Sequence, residues 1–96
     1  MSWLIVLRPV REEMPFEPTE EEDRIVGEHF AYLRRLRAEG KLLVAGPSQA
    51  GVGDTFGIAV IDTEDEAEAR AVLEADPAIV NGVMSGELRP FRIAVR

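Results

Sequence analysis

The segment TEEEDRIVGEHFAYLRRLRAEGKLLVAGP, residues 19–47, decides the fold because it contains one long amphipathic pattern and the apolar run that follows it. Thr19 and, three residues later, Glu22 form a capping-box signature, which predicts that a helix begins there. Apolar residues then recur at helical spacing as far as Leu36. Gly40 supplies the left-handed stop, so the predicted helix one ends at Glu39.

Strands are predicted on both sides of this helix. Residues 41–45 read as strand two, which ends at Gly46 and Pro47. On the N-terminal side, residues 3–7 (WLIVL) are an uninterrupted run of β-favouring apolar residues, typical of a strand that is covered on both faces. Residues 11–18, rich in charge and proline, form the loop between that strand and the helix.

The second half of the chain repeats this alternation of strand and helix. A glycine-rich loop through Gly53 leads to strand three at residues 55–61. Thr63 and Glu66 form a second capping box, which opens a short helix two. Asp76 must close that helix, because the residue before a proline is pushed out of helical geometry.

The last strand completes the order βαββαβ. After a turn or short helix at residues 78–82, the alternation of Phe91, Ile93 and Val95 with polar or small residues predicts a strand. This order is typical of a ferredoxin-like α+β fold, a four-stranded antiparallel sheet with both helices on one face.

The helix-free face of this sheet needs a cover. Strand one is apolar on both faces, and strand three is interrupted only by Gly57, so a monomer would expose a large apolar patch. A symmetric homodimer that packs the two sheets together would bury the patch and form a dimeric α/β barrel. A partner protein or a fused domain is the alternative cover.

Composition limits the class of protein. A chain of 96 residues, 46% of them hydrophobic, predicts a single domain over residues 1–96. With 18 acidic and 11 basic residues the net charge is −7, which disfavours nucleic acid and anionic membranes as partners. No run of residues suggests a secretion signal or a membrane span. The absence of cysteine excludes disulfides and thiolate chemistry, and it favours a cytoplasmic location.

Two ionisable residues are predicted to point inward. His29, the only histidine, falls near the centre of the apolar face of helix one. Asp76 ends helix two on the side of its apolar residues. Since both helices cover the same sheet face, the two side chains could meet. The carboxylate would then hold one ring nitrogen, and the other would exchange protons near neutral pH as a general acid and base.

Each of these residues also has a structural interpretation. A lone histidine on an apolar face is more often a hydrogen-bonded core residue, and an aspartate before proline is more often a helix stop. No serine or cysteine nucleophile lies beside them, so proton transfer fits better than acyl transfer. With one histidine and no cysteine, we predict no metal site.

The loop GPSQAGVG, residues 46–53, could close over a ligand because its glycines let backbone amides approach one. A plain hairpin connection is the alternative. The loop lacks the lysine and Ser/Thr of a P-loop, and the chain has no dinucleotide fingerprint, so we predict no cofactor. Arg8, Ser48 and Met84 could line a cavity, or they could equally face solvent or pack. The candidate substrate-binding residues are Arg8, Gly46, Pro47, Ser48 and Met84.

Three stretches in order resemble the YCII-related (YciI-like) family: residues 29–47 (HFAYLRRLRAEGKLLVAGP), Asp76 with Pro77, and residues 89–91 (RPF). The resemblance covers nearly the whole chain. It implies a ferredoxin-like dimeric α/β barrel, and it implies that His29 and Asp76 correspond to the pair proposed as catalytic in that family. Members with a known role resemble enzymes of aromatic-compound breakdown, which implies a small-molecule enzyme of lyase or isomerase type.

Other functions remain open at this point. A non-catalytic ligand-binding or regulatory dimer is the alternative from a different class, and it would also take a small molecule as its ligand. RNA binding is disfavoured by the net charge and by the presence of only six aromatic residues, counting the phenylalanines, the tyrosine and the tryptophan.

Two positions depart from the family pattern. Gly27 and Glu28 replace an Arg-Pro found in many relatives, and Ala78 replaces an aromatic residue, which implies a different pocket polarity.

Overall fold

Four strands and three helices make up the computed structural model, which describes residues 1–96. The strands form one antiparallel sheet in the order β2-β3-β1-β4. The predicted ferredoxin-like α+β fold is therefore confirmed, and of the turn or short helix predicted at residues 78–82 the structure has the short helix. The elements are β1 (Ser2–Pro9), α1 (Glu20–Ala38), β2 (Leu42–Pro47), β3 (Gly57–Asp62), α2 (Glu66–Glu74), α3 (Pro77–Val80) and β4 (Met84–Phe91).

Helix α1 begins and ends where its sequence signals predict. The Thr19 hydroxyl accepts a hydrogen bond from the Glu22 N–H at 3.1 Å, and the Glu22 carboxylate accepts one from the Thr19 N–H at 2.8 Å. This reciprocal capping box satisfies two backbone donors that the helix start would leave unpaired. Gly40 follows the C-terminal cap with φ of 79°, a conformation that glycine adopts without strain. None of the helices combines the length and apolar character that a membrane crossing requires.

One face of the sheet packs against the helices. Trp3 pairs with Ile61 and Ile5 with Ala59, so these four side chains share a face of the central strands. That face and helices α1 and α2 form a single core, which confirms that both predicted helices lie on the same side. The core residues are Trp3, Ile5, Leu7, Tyr32, Leu33, Leu36, Leu42, Ala59, Ile61, Ala69, Val72 and Leu73.

The last strand lies earlier in the chain than its sequence pattern suggested. Strand β4 spans Met84–Phe91, so the prediction of a strand through Phe91, Ile93 and Val95 was wrong. The pairing partner decides the position, because β1 offers eight residues that pair continuously from Ser2 opposite Phe91 to Pro9 opposite Met84. As an edge strand, β4 tolerates polar side chains on its outer face. These side chains obscure the alternation of apolar and polar residues by which a strand is predicted.

Helix α2 starts later than predicted. Its N-cap is Asp65, whose side chain accepts from the Glu68 N–H at 2.9 Å, and not Thr63. Thr63 is buried, and its N–H donates to the Met1 carbonyl at 2.8 Å, so residue 63 still belongs to the sheet end. The backbone bond to the chain start therefore delays the helix by two residues.

Gly86 allows β4 to approach helix α2 closely. A Cβ atom at this position would lie 2.6 Å from Leu73 Cδ1 and 3.3 Å from Ile79 Cδ1. Leu73 is a buried core residue, so it has little space into which it can move. Gly27, in the exposed face of α1, has nothing within 4 Å of such an atom.

The two glycines should respond to alanine in opposite directions. Gly86→Ala should lower the free energy of unfolding by about 1–3 kcal/mol, because the methyl group overpacks the contact with Leu73. Gly27→Ala should raise it by about 0.5–1 kcal/mol, because alanine favours the helix. Urea unfolding of the two variants measures both values. A stabilised Gly86→Ala protein would contradict the close packing of β4 on α2.

Candidate active site

His29 lies in the middle of α1 with only 3% of its surface exposed. Its neighbours along the helix face, Ile25 and Leu33, are buried as well. The amphipathic pattern of α1 directs this face toward the sheet, so the imidazole is turned away from solvent as the sequence predicted.

Asp76 is buried to the same degree, at 4% exposure, but its structural role differs from the predicted one. Helix α2 ends at Glu74 with Ala75 as its C-cap, and Asp76 is instead the N-cap of α3. Its Oδ1 accepts a hydrogen bond from the Ala78 N–H at 2.9 Å. Pro77 at the first position of α3 favours this start, since proline has no N–H to satisfy. The short helix thus fixes the carboxylate in place.

The structure brings His29 and Asp76 together. His29 Nδ1 lies 2.8 Å from Asp76 Oδ1 and 2.7 Å from Oδ2. An ionised carboxylate only accepts hydrogen bonds, so Nδ1 carries the hydrogen and donates it, and the lone pair of the neutral ring is on Nε2. Nε2 makes no hydrogen bond within the chain. Nε2 is not fully buried, because the only fully buried side-chain nitrogen or oxygen that lacks a hydrogen-bond partner is Trp3 Nε1.

Tyr32 holds the two helices in the register that this contact needs. Its hydroxyl, one helical turn after His29, donates to the Val72 carbonyl of α2 at 2.6 Å. Burial raises the pKa of the Tyr32 hydroxyl, and the negative charge of Asp76 raises it further. The phenol therefore stays protonated and keeps donating at physiological pH.

A cavity of about 270 Å³ lies beside the ring of His29. One wall is a stripe of α1, and the opposite wall comes from the ends of the strands. The α1 stripe consists of Asp23, Val26, His29, Phe30 and Leu33. Asp76 does not line the cavity, so it contacts His29 from behind. Because ligand sites are typically concave and largely apolar with a few polar groups, this arrangement is suited to a small ligand.

Residues 10–18, which we call the strap, close one side of the cavity. Met14 of the strap is buried, and it lines the cavity together with Pro15 and Pro18. Arg11 fastens the strap to α1 by donating to both carboxylate oxygens of Glu22, at 3.0 and 2.7 Å. This bidentate pair is the geometry in which an arginine and a carboxylate bind most strongly.

The predicted substrate-binding residues divide into two groups. Gly46, Pro47 and Met84 line the cavity. Arg8 lies outside it, where its guanidinium stacks on the Phe56 ring at 5.6 Å. Ser48 also lies outside, and its hydroxyl accepts the Phe56 N–H at 3.0 Å, which is a hairpin contact.

Sequence reasoning missed two aromatic residues of the cavity. Phe30 is 41% exposed, and its ring centroid lies 5.1 Å from that of His29. Phe56, just before β3, lines the opposite side and is also exposed. Their apolar character was interpreted as core and strand, respectively. No sequence pattern could identify them, because the folded strap and the hairpin loop define which apolar positions face the cavity.

The chain has no cluster of three or more histidine, cysteine, aspartate or glutamate side chains placed to hold a metal ion. Among the residues that line the cavity, His29 and Asp23 have ionisable side chains. With a hydrogen-bonded carboxylate behind it, the free nitrogen of His29 can accept a proton from a bound molecule and return it.

Known proteins share the sequence pattern and the fold of this chain. The pattern of the YCII-related domain matches residues 1–92. Among solved structures, 5-chloro-2-hydroxyhydroquinone dehydrochlorinase from Burkholderia phenoliruptrix AC1100, in complex with 2,5-dihydroxybenzoquinone, matches with a TM-score of 0.73. The two chains are 23% identical, and the match covers 96% of this chain and 94% of the other. At this identity the likeness shows the fold. A comparison with curated proteins found no match.

The clasp between Arg11 and Glu22 should weaken in acid. The hydrogen bond from Arg11 and, as the second cause, the hydrogen bond from the Thr19 N–H lower the pKa of Glu22 from 4.5 to about 2. Because the folded-state pKa is the lower one, the clasp stabilises the fold fully above pH 4.5 and is lost as the pH falls through about 2. Glu22→Gln keeps the capping box but removes the charge. Its free energy of unfolding should therefore fall less than that of the wild type over this range.

Urea unfolding from neutral pH down to about 2 measures this difference. Arg11→Gln is the matched variant, since it removes the same pair from the strap side. Parallel pH curves for the wild type and both variants would contradict the clasp.

Proposed function

The chain belongs to the YCII-related family, and on that premise we propose that it is a small-molecule enzyme in which His29 transfers a proton. The observation that carries the proposal is the position of the imidazole. Its Nδ1 is held by the buried Asp76, its Nε2 has no hydrogen-bond partner within the chain, and the residue lines an apolar cavity. A histidine that served packing alone would also need a hydrogen-bond partner for its buried ring, but it would not need a cavity in front of it.

In the proposed reaction, Nε2 of His29 takes a proton from the bound substrate and the ring becomes an imidazolium. Asp76 stabilises the new positive charge through the Nδ1 hydrogen bond and keeps the ring oriented. In a lyase-type reaction, the electron pair left by the proton expels a leaving group as an anion, and the proton passes from His29 to water. In an isomerase-type reaction, His29 returns the proton to another atom of the same molecule.

The cavity supports a substrate with a single apolar ring. Its volume of about 270 Å³ exceeds the roughly 150 Å³ that suffices to bind benzene in an apolar cavity. Phe30 and Phe56 offer exposed aromatic surface on opposite sides. The solved neighbour is named for a reaction of a chlorinated hydroxyhydroquinone, and that compound is a suitable first substrate to assay here.

The proposed binding residues are those that line the cavity, including Gly46, Pro47 and Met84. Arg8 would act on the ligand only through the Phe56 ring, and Ser48 only by fixing the hairpin loop. A second candidate function is binding without catalysis. The observation that favours it is the scarcity of polar groups in the cavity beyond His29. This alternative predicts ligand-dependent stabilisation without product.

Replacing His29 should separate catalysis from packing. In His29→Gln the amide can still donate to Asp76, so the fold should persist while turnover falls by roughly 10²–10⁴. Tyr32→Phe is the matched control, since it removes a buried hydrogen bond on the same helix without touching the cavity. It should cost about 1 kcal/mol of stability and lower turnover far less than His29→Gln does, because the imidazole and Asp76 both remain.

Chloride release and absorbance changes with hydroxylated ring compounds measure turnover, and thermal melting measures stability. Wild-type turnover by His29→Gln would contradict the catalytic role. A ligand that raises the melting temperature of the wild type and is recovered unchanged would favour the binding alternative.

We also propose that the chain forms a homodimer through the helix-free face of its sheet. Leu4, Val60 and Val44 stand side by side there, because Leu4 pairs with Val60 and Val60 with Val44. Val6 lies next to them on the same face. Val44 is 57% exposed. An apolar row on a sheet face is typical of an interface, and two such faces packed together form a dimeric α/β barrel.

A charge at Val44 should weaken this dimer without unfolding the subunit. Val44→Lys places an ammonium group in the apolar interface, where its desolvation is costly. Val80→Lys is the matched control, because Val80 is a valine that is even more exposed, at 67%, on α3 outside the sheet. Sedimentation velocity at micromolar concentration should find dimers for the wild type and Val80→Lys and monomers for Val44→Lys. A monomeric wild type would contradict the proposal.

A further inference from the structure

Asp23 is the only carboxylate among the residues that line the cavity, and no arginine or lysine lines it. It lies in the first turn of α1, six residues before His29, which corresponds to about 9 Å along the helix axis. Val26 stands between them on the same wall. Asp23 is exposed and His29 is buried. The cavity therefore has an imidazole at its inner end and a carboxylate at its open end.

The Asp23 carboxylate is not neutralised by a basic side chain. Neither Arg11 nor Arg24, the arginines on the strap and in the same part of α1, forms an ion pair with it. They pair instead with Glu13, Glu22, Glu21 and Glu28. The acceptor oxygens of Asp23 are thus free for a donor on a ligand.

An anionic ligand would meet no arginine or lysine in this cavity. Arg8 lies behind the Phe56 ring and pairs with Glu87 at 3.9 Å, so it is turned outward. Asp76 adds a second negative charge behind His29, and the whole chain carries a net charge of −7. A ligand carboxylate would lose its water against apolar walls and face carboxylates at both ends, which is unfavourable.

We propose that the cavity selects uncharged or cationic ring compounds that carry a hydroxyl group and rejects their carboxylate analogues, with Asp23 as the specificity-determining residue. This inference rests on the proposed function, because it assigns the charge class of the same site's ligand. A hydroxyl or ammonium group can donate to Asp23, whereas a carboxylate is repelled by it. Asp23 therefore discriminates in two ways, because it attracts hydrogen-bond donors and repels anions.

Three phenols with a neutral, a cationic or an anionic group opposite the hydroxyl test the proposal: 4-methylphenol, 4-hydroxybenzylamine and 4-hydroxybenzoate. Isothermal titration of the full chain should give at least about tenfold weaker binding for 4-hydroxybenzoate than for 4-methylphenol. Asp23→Asn should reduce the ratio of the dissociation constants of 4-hydroxybenzoate and 4-methylphenol, and Asp23→Lys should reverse the preference. Glu20→Gln is the matched control, since it removes the same charge from the same helical turn but does not line the cavity.

The outcomes separate this inference from the proposed function. Equal binding of all three compounds to the wild type would overturn the charge selection and leave a ring-binding cavity. A ratio that changes as much in Glu20→Gln as in Asp23→Asn would overturn the role of Asp23. Failure of all three compounds to bind would overturn the ring-compound function itself, and the charge selection with it.

Discussion

The buried contact between His29 and Asp76 is the constraint on which the rest of the site depends. Removing a carboxylate from water costs several kcal/mol, and only good partners offset that cost. Asp76 has two, the His29 ring and the Ala78 N–H. The carboxylate therefore joins α1 to the start of α3. Tyr32 adds a second link, from α1 to α2, through the Val72 carbonyl. The ring is thus held from behind, which leaves its second nitrogen free.

Helix α1 serves two environments with adjacent stripes of its surface. Tyr32 and Leu36 pack into the core, whereas Val26 and Phe30 face the cavity. His29 lies at the boundary between them. The two faces of the sheet also differ, because one is buried under the helices and the other has a row of apolar residues without a helix over it. A small domain buries only a limited share of its surface. A cavity at the edge of the core therefore lowers the free energy of unfolding less than a cavity in the centre of the core would.

Local signals in the sequence were sufficient for α1 and for the inward direction of His29. The capping box at Thr19 and the stop at Gly40 act over a few residues, so a single sequence reveals them. β4 could not be placed this way, because its position is set by pairing with β1. The contact of His29 with Asp76 was foreseen only as one possibility. It depends on α3, whose N-cap replaced the predicted helix end. Cavity residues such as Phe30 required the tertiary structure.

The protonation of His29 tests the account most directly. Because the chain has one histidine, a two-dimensional ¹H–¹⁵N NMR spectrum of the imidazole contains a single set of ring signals. We predict that the neutral ring carries its hydrogen on Nδ1, in a strong hydrogen bond that Asp76→Asn weakens. We also predict that the Nε2 signal shifts when a phenol binds. A neutral ring protonated on Nε2, or ring signals insensitive to both changes, would contradict the proposed role of His29.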